Sequence, residues 1–160
     1  MGKTKILSQI SSLLLLPIMA TAIIPTILFF IAPDYTPTNL ALILVGIITL
    51  LIGVYLLSTT IILLITKGKG TISPWDPTKK MVTTGPYSKI RNPMIIGVTL
   101  ILLSETILLN SQTLLLWTVT FFILNHAYIK RIEETHLEKR FGKEFKKYAK
   151  KVPRWLPKIK

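Results

Sequence analysis

The sequence predicts an all-α, polytopic membrane protein with four transmembrane helices and a C-terminal amphipathic helix on the cytoplasmic side. Half of the 160 residues are hydrophobic, and they are gathered into long blocks. The chain holds 20 lysine and arginine residues against 7 aspartate and glutamate residues, nearly all of them between or after the apolar blocks. This arrangement favours a membrane protein over a soluble domain.

Two uncharged blocks, residues 6–31 and residues 40–66, predict the first two spans. Each exceeds the roughly 20 apolar residues that a helix needs to cross the hydrocarbon core of a bilayer. Thr38 and Asn39 are both suited to cap the second span. We therefore treat residues 1–66 as an N-terminal segment with two spans.

Residues 94–109 and 113–129 predict a tight helical hairpin, because only the segment Asn-Ser-Gln separates two further apolar blocks. At 1.5 Å per residue, each block would extend roughly 24–26 Å, slightly less than the thickness of the hydrocarbon core. The hairpin either just crosses the bilayer or dips in and returns. In both cases the chain comes back to the side from which it entered.

The positions of the cations set the predicted orientation. They lie in the N-terminal tail, in the loop of residues 67–93 and after residue 129, whereas residues 32–39 and the hairpin tip have none. By the positive-inside rule, the basic segments and both termini face the cytoplasm. Small size and simple topology favour a prokaryotic plasma membrane. Since basic residues beside spans also contact anionic membrane lipids, we expect no nucleic acid partner.

The absence of cysteine limits the chemistry that the chain can perform. It excludes disulfides, thiolate nucleophiles and cysteine-based metal sites. We accordingly predict no metal site.

A polar stretch, TTGPYSKIRNPMIIG at residues 83–97, interrupts the apolar sequence. Pro93 predicts the first residue of a helix that enters the membrane, and Asn92 before it is a favoured N-cap residue. The free N–H groups of this helix start, with Arg91 beside them, would suit a carboxylate or a phosphate. The alternative is that Asn-Pro only starts a helix and that Arg91 reaches lipid headgroups.

Glu133 and Glu134 follow the fourth apolar block, where two adjacent carboxylates are costly unless they are partnered or solvated. The hairpin would bring them near Arg91 and the helix start after it. The resulting pocket would suit a ligand that bears both an ammonium and a carboxylate. Alternatively, the two glutamates pair with Lys130 and Arg131 or with residues one helical turn away.

Residues 130–151 predict an amphipathic helix that lies along the bilayer surface. Gly142 weakens this helix in the middle, and Pro153 ends it. Its apolar residues recur at spacings of four, four and three: Leu137, Phe141, Phe145 and Tyr148.

Together these segments resemble the isoprenylcysteine carboxyl methyltransferase family and its wider relatives, the phospholipid N-methyltransferases. The family pattern is roughly G-x-Y-x-x-x-R-H-P-x-Y-x-G, an apolar hairpin, E-E, F-G-x-E-Y and V-P-x-x-x-P. The order and spacing of these blocks agree from about Lys79 to Pro157. The resemblance implies an integral membrane enzyme that uses S-adenosylmethionine, with residues 67–160 as its catalytic segment.

Carried over by position, the resemblance implies a donor site formed by three short segments and one tyrosine. Arg91 joins them as the cation beside the predicted helix start. The implied donor contacts are Lys79, Lys80, Met81, Val82, Tyr87, Asn92, Pro93, Met94, Ile95, Glu133 and Glu134.

Three departures from the family bear on the site. Asn92 stands in place of the family histidine, and Ile95 in place of the family tyrosine. Asparagine can still form hydrogen bonds, but it cannot titrate. A substrate-contacting arginine of the family aligns with Ile129, and Arg131 is the nearest candidate for its role. These departures suggest an acceptor other than a prenylcysteine carboxylate.

The predicted reaction is methyl transfer to a lipophilic small molecule or a lipid-modified substrate. The acceptor resembles either an isoprenylcysteine carboxylate or a phospholipid amine. A carboxylate acceptor would need a cation such as Arg131, and an amine acceptor must lose a proton, which Glu134 or His126 could take. We therefore predict Arg131 and Glu134 as the catalytic residues.

Two other functions compete with this prediction. The first is an NADPH-dependent membrane reductase of related architecture. The second is a non-catalytic membrane protein whose basic helix binds lipid or a partner. Binding of S-adenosylmethionine would separate the methyltransferase from both.

Overall fold

The computed structural model describes residue 15, residues 17–68 and residues 79–157. Within this part of the chain the structure is all-helical, as the sequence predicts. A 3-10 turn, Gly85–Ser88, precedes the third helix, and a π-helical turn, Ile129–Glu133, follows the fourth. In chain order the helices are α1 (Met19–Ile31), α2 (Leu40–Gly68), α3 (Pro93–Leu109), α4 (Gln112–Tyr128), α5 (Glu134–Phe141) and α6 (Lys143–Lys151).

Among the described helices, α2 alone is long and apolar enough to cross a membrane by length and composition. It has 29 residues, and its most apolar stretch reaches a mean hydropathy of 2.9. It coincides with the second predicted span. The first predicted span, residues 6–31, lies partly outside the described residues, and α3 and α4 have 17 residues each. The number of four spans therefore stays a prediction.

The first residues of the helices follow local sequence signals. The Asn39 side chain caps α2 by accepting a hydrogen bond from the backbone N–H of Leu42 at 2.9 Å. The sequence left open whether this cap would be Thr38 or Asn39. Helix α3 begins at Pro93, as predicted, because its fixed φ suits the first helical position.

Helices α2 and α3 pack closely because two glycines remove side chains from their contact. A Cβ on Gly97 would lie 2.9 Å from the backbone nitrogen of Leu57, and one on Gly53 would lie 3.0 Å from the carbonyl oxygen of Gly97. Small residues let helix backbones approach each other in a membrane, where packing drives association. Helix α3 is central, since it contacts α2 and α4 and buries Val98 and Leu102 to 2% and 1% exposure.

The loop after α1 is tied to the tip of the α3–α4 hairpin. Asp34 accepts a hydrogen bond from the hydroxyl of Ser111 and another, at 2.8 Å, from the backbone N–H of Thr113. The backbone N–H of Thr36 donates to the carbonyl oxygen of Leu109 at 3.2 Å. The two segments that lack cations therefore lie at the same end of the helices, as the predicted topology requires.

The amphipathic region after residue 129 is helical but divided. Gly142 has a φ of +51°, which side-chain-bearing residues rarely adopt, and it separates α5 from α6. The prediction of one helix that is only weakened at this glycine is therefore wrong. Phe145 is the buried member of the predicted apolar stripe, with 5% exposure, and α6 ends before Pro153.

Candidate functional site

Three segments that are distant in sequence meet at the end of the hairpin opposite its tip. They are the turn before α3 (residues 85–92), the π-helical turn with the start of α5 (residues 129–138), and residues 152–157, which we call the C-terminal strap. Each contributes one member of an ion cluster formed by Arg91, Glu134 and Arg154. The glutamate pair thus lies beside the start of α3, as the hairpin argument predicts.

The π-helical turn determines where the glutamate pair points. Ile129, the first residue of the turn, is 1% exposed and fixes the turn against the helices. A π-helical turn changes the angular position of the residues that follow, relative to a continuous α-helix. Glu133 is its last residue and Glu134 opens α5, so the turn sets the direction of both side chains.

The carboxylate of Glu134 is held by two guanidinium groups. Arg91 Nη1 donates to Oε1 at 2.8 Å, while Arg154 donates from Nε to Oε1 at 2.8 Å and from Nη2 to Oε2 at 2.7 Å. Burial alone would raise the pKa of Glu134, but the hydrogen bonds and charges of Arg154 and Arg91 keep it below its usual value. Glu134 is therefore an ionised anchor at neutral pH.

Glu133 has the opposite environment. It is half-buried, and no described residue donates a hydrogen bond to its carboxyl group. Burial, followed by the neighbouring charge of Glu134, raises the pKa of Glu133 to about 7. A cation beside this carboxyl group would favour its ionised form. Glu133 therefore has no partner among the described residues, whereas Glu134 is already engaged.

Two tyrosines connect the turn before α3 to α6. The hydroxyl of Tyr148 donates to the backbone carbonyl oxygen of Tyr87 at 2.7 Å. Burial, together with the negative charge of Glu133, raises the pKa of the Tyr87 hydroxyl above its usual value. Burial also raises the pKa of Tyr148, to about 12. Both hydroxyls therefore stay neutral at physiological pH and can donate hydrogen bonds.

The C-terminal strap crosses the start of α3. The backbone N–H of Arg91 donates to the carbonyl oxygen of Pro153 at 2.9 Å, and the Asn92 side-chain amide donates to that of Arg154 at 3.3 Å. Asn92 is the N-cap residue of α3, as predicted, but its side chain makes no capping hydrogen bond. Its amide holds the strap instead.

Trp155 fastens the strap to α4. Its indole Nε1 donates to Nδ1 of His126 at 2.9 Å, and the two rings stack with their centroids 5.7 Å apart. The ring of Phe122 packs against the same indole, with 4.9 Å between the ring centroids. Because Nδ1 of His126 accepts this hydrogen bond, its lone pair is occupied. The geometry favours a structural role for His126 over that of a proton acceptor.

A cavity of about 420 Å³ opens beside the ion cluster, between α5 and α6. Within it Lys146 pairs with Glu138 at 2.9 Å, and Glu134 is shared by its two arginines. Lys130 and Lys150 consequently leave an excess of positive charge at the cavity, which would favour an anionic group. The lining residues are Arg91, Lys130, Glu134, Thr135, Glu138, Phe145, Lys146, Ala149 and Lys150.

The apolar residues among the predicted donor contacts form the hydrophobic surroundings of the site. Val82 and Met94 are buried against Leu64, and Tyr87 packs on the same cluster. Pro93 is also buried, while Met81 and Ile95 are half-buried.

Apart from Arg91, the predicted basic contacts do not line the cavity. Lys79 and Lys80 are exposed, and their backbone N–H groups donate to the carbonyl oxygen of Gly68 at 2.9 and 3.2 Å. Arg131 is also exposed and is not among the residues that line the cavity. The assignment of Arg131 as the cation that holds an acceptor stays a prediction.

The contribution of the strap to the site was not predicted from the sequence. Arg154 and Trp155 both belong to the segment Val-Pro-Arg-Trp-Leu-Pro, which follows the last helix. The family pattern V-P-x-x-x-P draws attention to the prolines and leaves the arginine in a variable position. The signal in the sequence that could have indicated this contribution is a cation and an aromatic residue directly after an amphipathic helix.

One buried hydrogen-bond donor of Arg91 has no protein partner in the part of the chain that the structure describes. Its Nη1 engages Glu134, but its Nε is buried and has no hydrogen-bond partner among the described residues. A buried N–H group without an acceptor is costly, so an acceptor supplied by a ligand would be favourable. An anionic group would satisfy this donor, and a cationic group would suit the carboxyl group of Glu133, which is likewise unpartnered among the described residues.

Comparison with known proteins identifies two similarities. The family model of phospholipid methyltransferases matches residues 41–144, more than half of the chain. An uncharacterized protein of Haemophilus influenzae (strain ATCC 51907 / DSM 11121 / KW20 / Rd) is 36% identical over 63 residues, which cover 39% of this chain and 100% of that protein. The family match includes Arg91 and both glutamates and ends before the C-terminal strap.

Proposed function

Since the chain belongs to the phospholipid methyltransferase family and is therefore a membrane methyltransferase, we propose that it uses S-adenosylmethionine to methylate a lipophilic acceptor. The observation that carries the proposal is the pair of unengaged groups, Nε of Arg91 and the carboxyl group of Glu133, beside one ion cluster. S-adenosylmethionine, when bound, supplies a methyl group activated by a sulfonium and carries an ammonium and a carboxylate.

Different residues of the chain would bind different groups of S-adenosylmethionine. Arg91 donates from Nε to the carboxylate, and Glu133 accepts from the ammonium. Glu134 does not need to touch the donor, since its contacts to Arg91 and Arg154 hold the site together. The neutral hydroxyl of Tyr87 offers a further hydrogen-bond donor near Glu133.

The surroundings of the site assist methyl transfer by alignment and by exclusion of water, which are the main needs of an in-line displacement. Val82 and Met94 belong to a buried apolar cluster on which Tyr87 packs. The excess of cations at the cavity, from Lys130 and Lys150, supports an acceptor with an anionic group. Both a phospholipid and an isoprenylcysteine carboxylate have such a group.

An amine acceptor would also have to lose a proton. Glu134 is a weak proton acceptor because two guanidinium groups stabilise its ionised form, and Nδ1 of His126 is occupied by Trp155. We therefore assign Glu134 an anchoring role and propose that the proton passes to solvent through the cavity.

The assignment of Arg131 is tested separately. Arg131→Gln should lose activity towards a carboxylate acceptor.

We place the site at the cytoplasmic face of a prokaryotic plasma membrane, with both termini on that side. The donor is water-soluble and the acceptor is lipophilic, so the site must lie where the helices meet water. The basic residues around the cavity are consistent with this side by the positive-inside rule.

The test is calorimetric titration of the purified full-length protein with S-adenosylhomocysteine, with NADPH titrated in parallel. We expect saturable binding of S-adenosylhomocysteine and none of NADPH. Replacement of both Glu133 and Glu134 by alanine should abolish binding, whereas Glu144→Gln, which removes an exposed carboxylate of α6, should leave it unchanged. Binding of NADPH alone would favour the reductase, and binding of neither ligand by folded protein would favour the non-catalytic alternative.

A further inference from the structure

Arg154 is the residue that joins the C-terminal strap to the glutamate pair. It lies beyond residue 144, where the match to the family ends, and the family pattern leaves its position variable. It nevertheless makes the more extensive contact with Glu134, through two parallel hydrogen bonds of 2.8 and 2.7 Å. Such a fork fixes the direction of a carboxylate as well as neutralising it.

Arg154 and Arg91 compete for the same oxygen. Nε of Arg154 and Nη1 of Arg91 both donate to Oε1 of Glu134 at 2.8 Å, while Oε2 is taken by Arg154 alone. Arg91 is thereby limited to a single contact with the carboxylate. Its Nε remains without a partner among the described residues.

The consequence of losing Arg154 follows from arginine geometry. With both oxygens of Glu134 released, the guanidinium of Arg91 could turn and form its own two-bond fork with the carboxylate, which is a favoured arrangement for such a pair. That fork would engage a second donor of Arg91 and reorient the whole group. The Nε–H group of Arg91, which the proposed function assigns to the ligand, would then no longer be available to it.

We propose that Arg154 is a positioning residue for the binding of S-adenosylmethionine: it occupies Glu134 so that Arg91 keeps a donor aimed at the ligand. This inference rests on the proposed function. Arg154 acts through Glu134 and has no need to touch the ligand. Two carbonyl groups of the strap hold the two arginines at a fixed separation. That of Pro153 accepts from the backbone N–H of Arg91, and that of Arg154 accepts from the side-chain amide of Asn92.

A double-mutant cycle tests this role, with affinity for S-adenosylhomocysteine as the measured quantity and the full-length protein in detergent. We expect Arg154→Gln to weaken binding about tenfold, the usual effect of removing a charged hydrogen bond. Arg154→Lys, which keeps the charge but not the fork, should recover part of this loss. Glu134→Gln should also weaken binding, and adding Arg154→Gln to it should change affinity by less than about twofold.

Lys147→Gln is the matched control, because it removes an exposed cation of α6 that does not line the cavity. It should bind like the wild type. Losses from Arg154→Gln and Glu134→Gln that multiply in the double variant would overturn the inference, since Arg154 would then act independently of Glu134. Wild-type affinity in folded Arg154→Gln or Arg154→Lys would overturn it as well. If the wild-type protein itself bound no S-adenosylhomocysteine, the proposed function would fail first, and this inference with it.

Discussion

Two adjacent glutamates acquire different properties because their partners come from different parts of the chain. Glu134 receives Arg91 and Arg154, which are 43 residues before it and 20 residues after it. Glu133 receives no donor from the described residues and is left with the charge of its neighbour. The sequence identifies the pair as a candidate site, but it cannot distinguish the two, because both arginines are brought in by tertiary structure.

The raised pKa of Glu133 predicts a pH-dependent cost in stability. Because the pKa of Glu133 is about 7 in the folded protein, against an ordinary value of 4.5, the folded state binds more protons between these values, and wild-type stability falls as pH rises through that window. Glu133→Gln removes the charge and should stabilise the protein by up to about 3 kcal/mol at pH 8. At pH 4 the two proteins should be nearly equal. Thermal unfolding at both pH values measures this, and equal stability at pH 8 would contradict it.

The same group predicts that ligand binding is linked to protons. If Glu133 contacts the ammonium of S-adenosylhomocysteine, it must be ionised in the complex, so binding below about pH 7 should release a proton. Affinity should rise with pH up to about 7 and then level off. Calorimetry at pH 6 in buffers of different ionisation enthalpy measures the release. A release that persists in Glu133→Gln would show that another group is responsible.

At the scale of helices, the sequence predicts what depends on local signals. The first residue of α3 follows from Pro93, and the cap of α2 follows from the polar residues before it. The hairpin follows from two apolar blocks and a short tip. The strap could not be predicted in this way, because its hydrogen bonds join residues 20 to 62 positions apart, as between Glu134 and Arg154 and between Asn92 and Arg154.

The glycine contact between α2 and α3 predicts a local limit on side-chain size. Gly97→Ala should destabilise the protein by about 1–3 kcal/mol, because the new Cβ would lie 2.9 Å from a backbone atom of Leu57, which cannot rotate away as a side chain can. Val45→Ile adds one methyl group to a side chain of α2 that is 49% exposed and should have little effect. Unfolding in micelles measures both. Equal stability of the two variants would mean that the helices separate at no cost.

At the scale of the whole molecule, composition predicts membrane location, and the distribution of cations predicts orientation. The structure adds that the cation-free loop and the hairpin tip lie at one end, and that the ion cluster lies at the opposite end of the hairpin. The location of the strap completes the site at that second end. The ends of the helices were predicted from the sequence, but the contacts that the strap makes with them were not.

The orientation is open to a direct test because the sequence contains no cysteine. A single cysteine at Lys147 should react with a membrane-impermeant thiol reagent only after the cells are permeabilised. A single cysteine at Gln112, in the hairpin tip, should react in intact cells if the hairpin crosses the bilayer. Both positions are exposed, so access to the reagent depends on the side of the membrane. Labelling of the Lys147 variant in intact cells would contradict the predicted orientation and indicate the opposite one.

The position of the strap in the chain has a consequence for biosynthesis. Residues 152–157 follow every helix described here, so they leave the ribosome after α1 to α6 have been made. Until they appear, Glu134 has only Arg91 as a partner, and the start of α3 lacks its contact with Pro153. We therefore expect a nascent chain to insert its helices before it can bind the proposed methyl donor. Activity would begin only on chains whose synthesis has passed the strap.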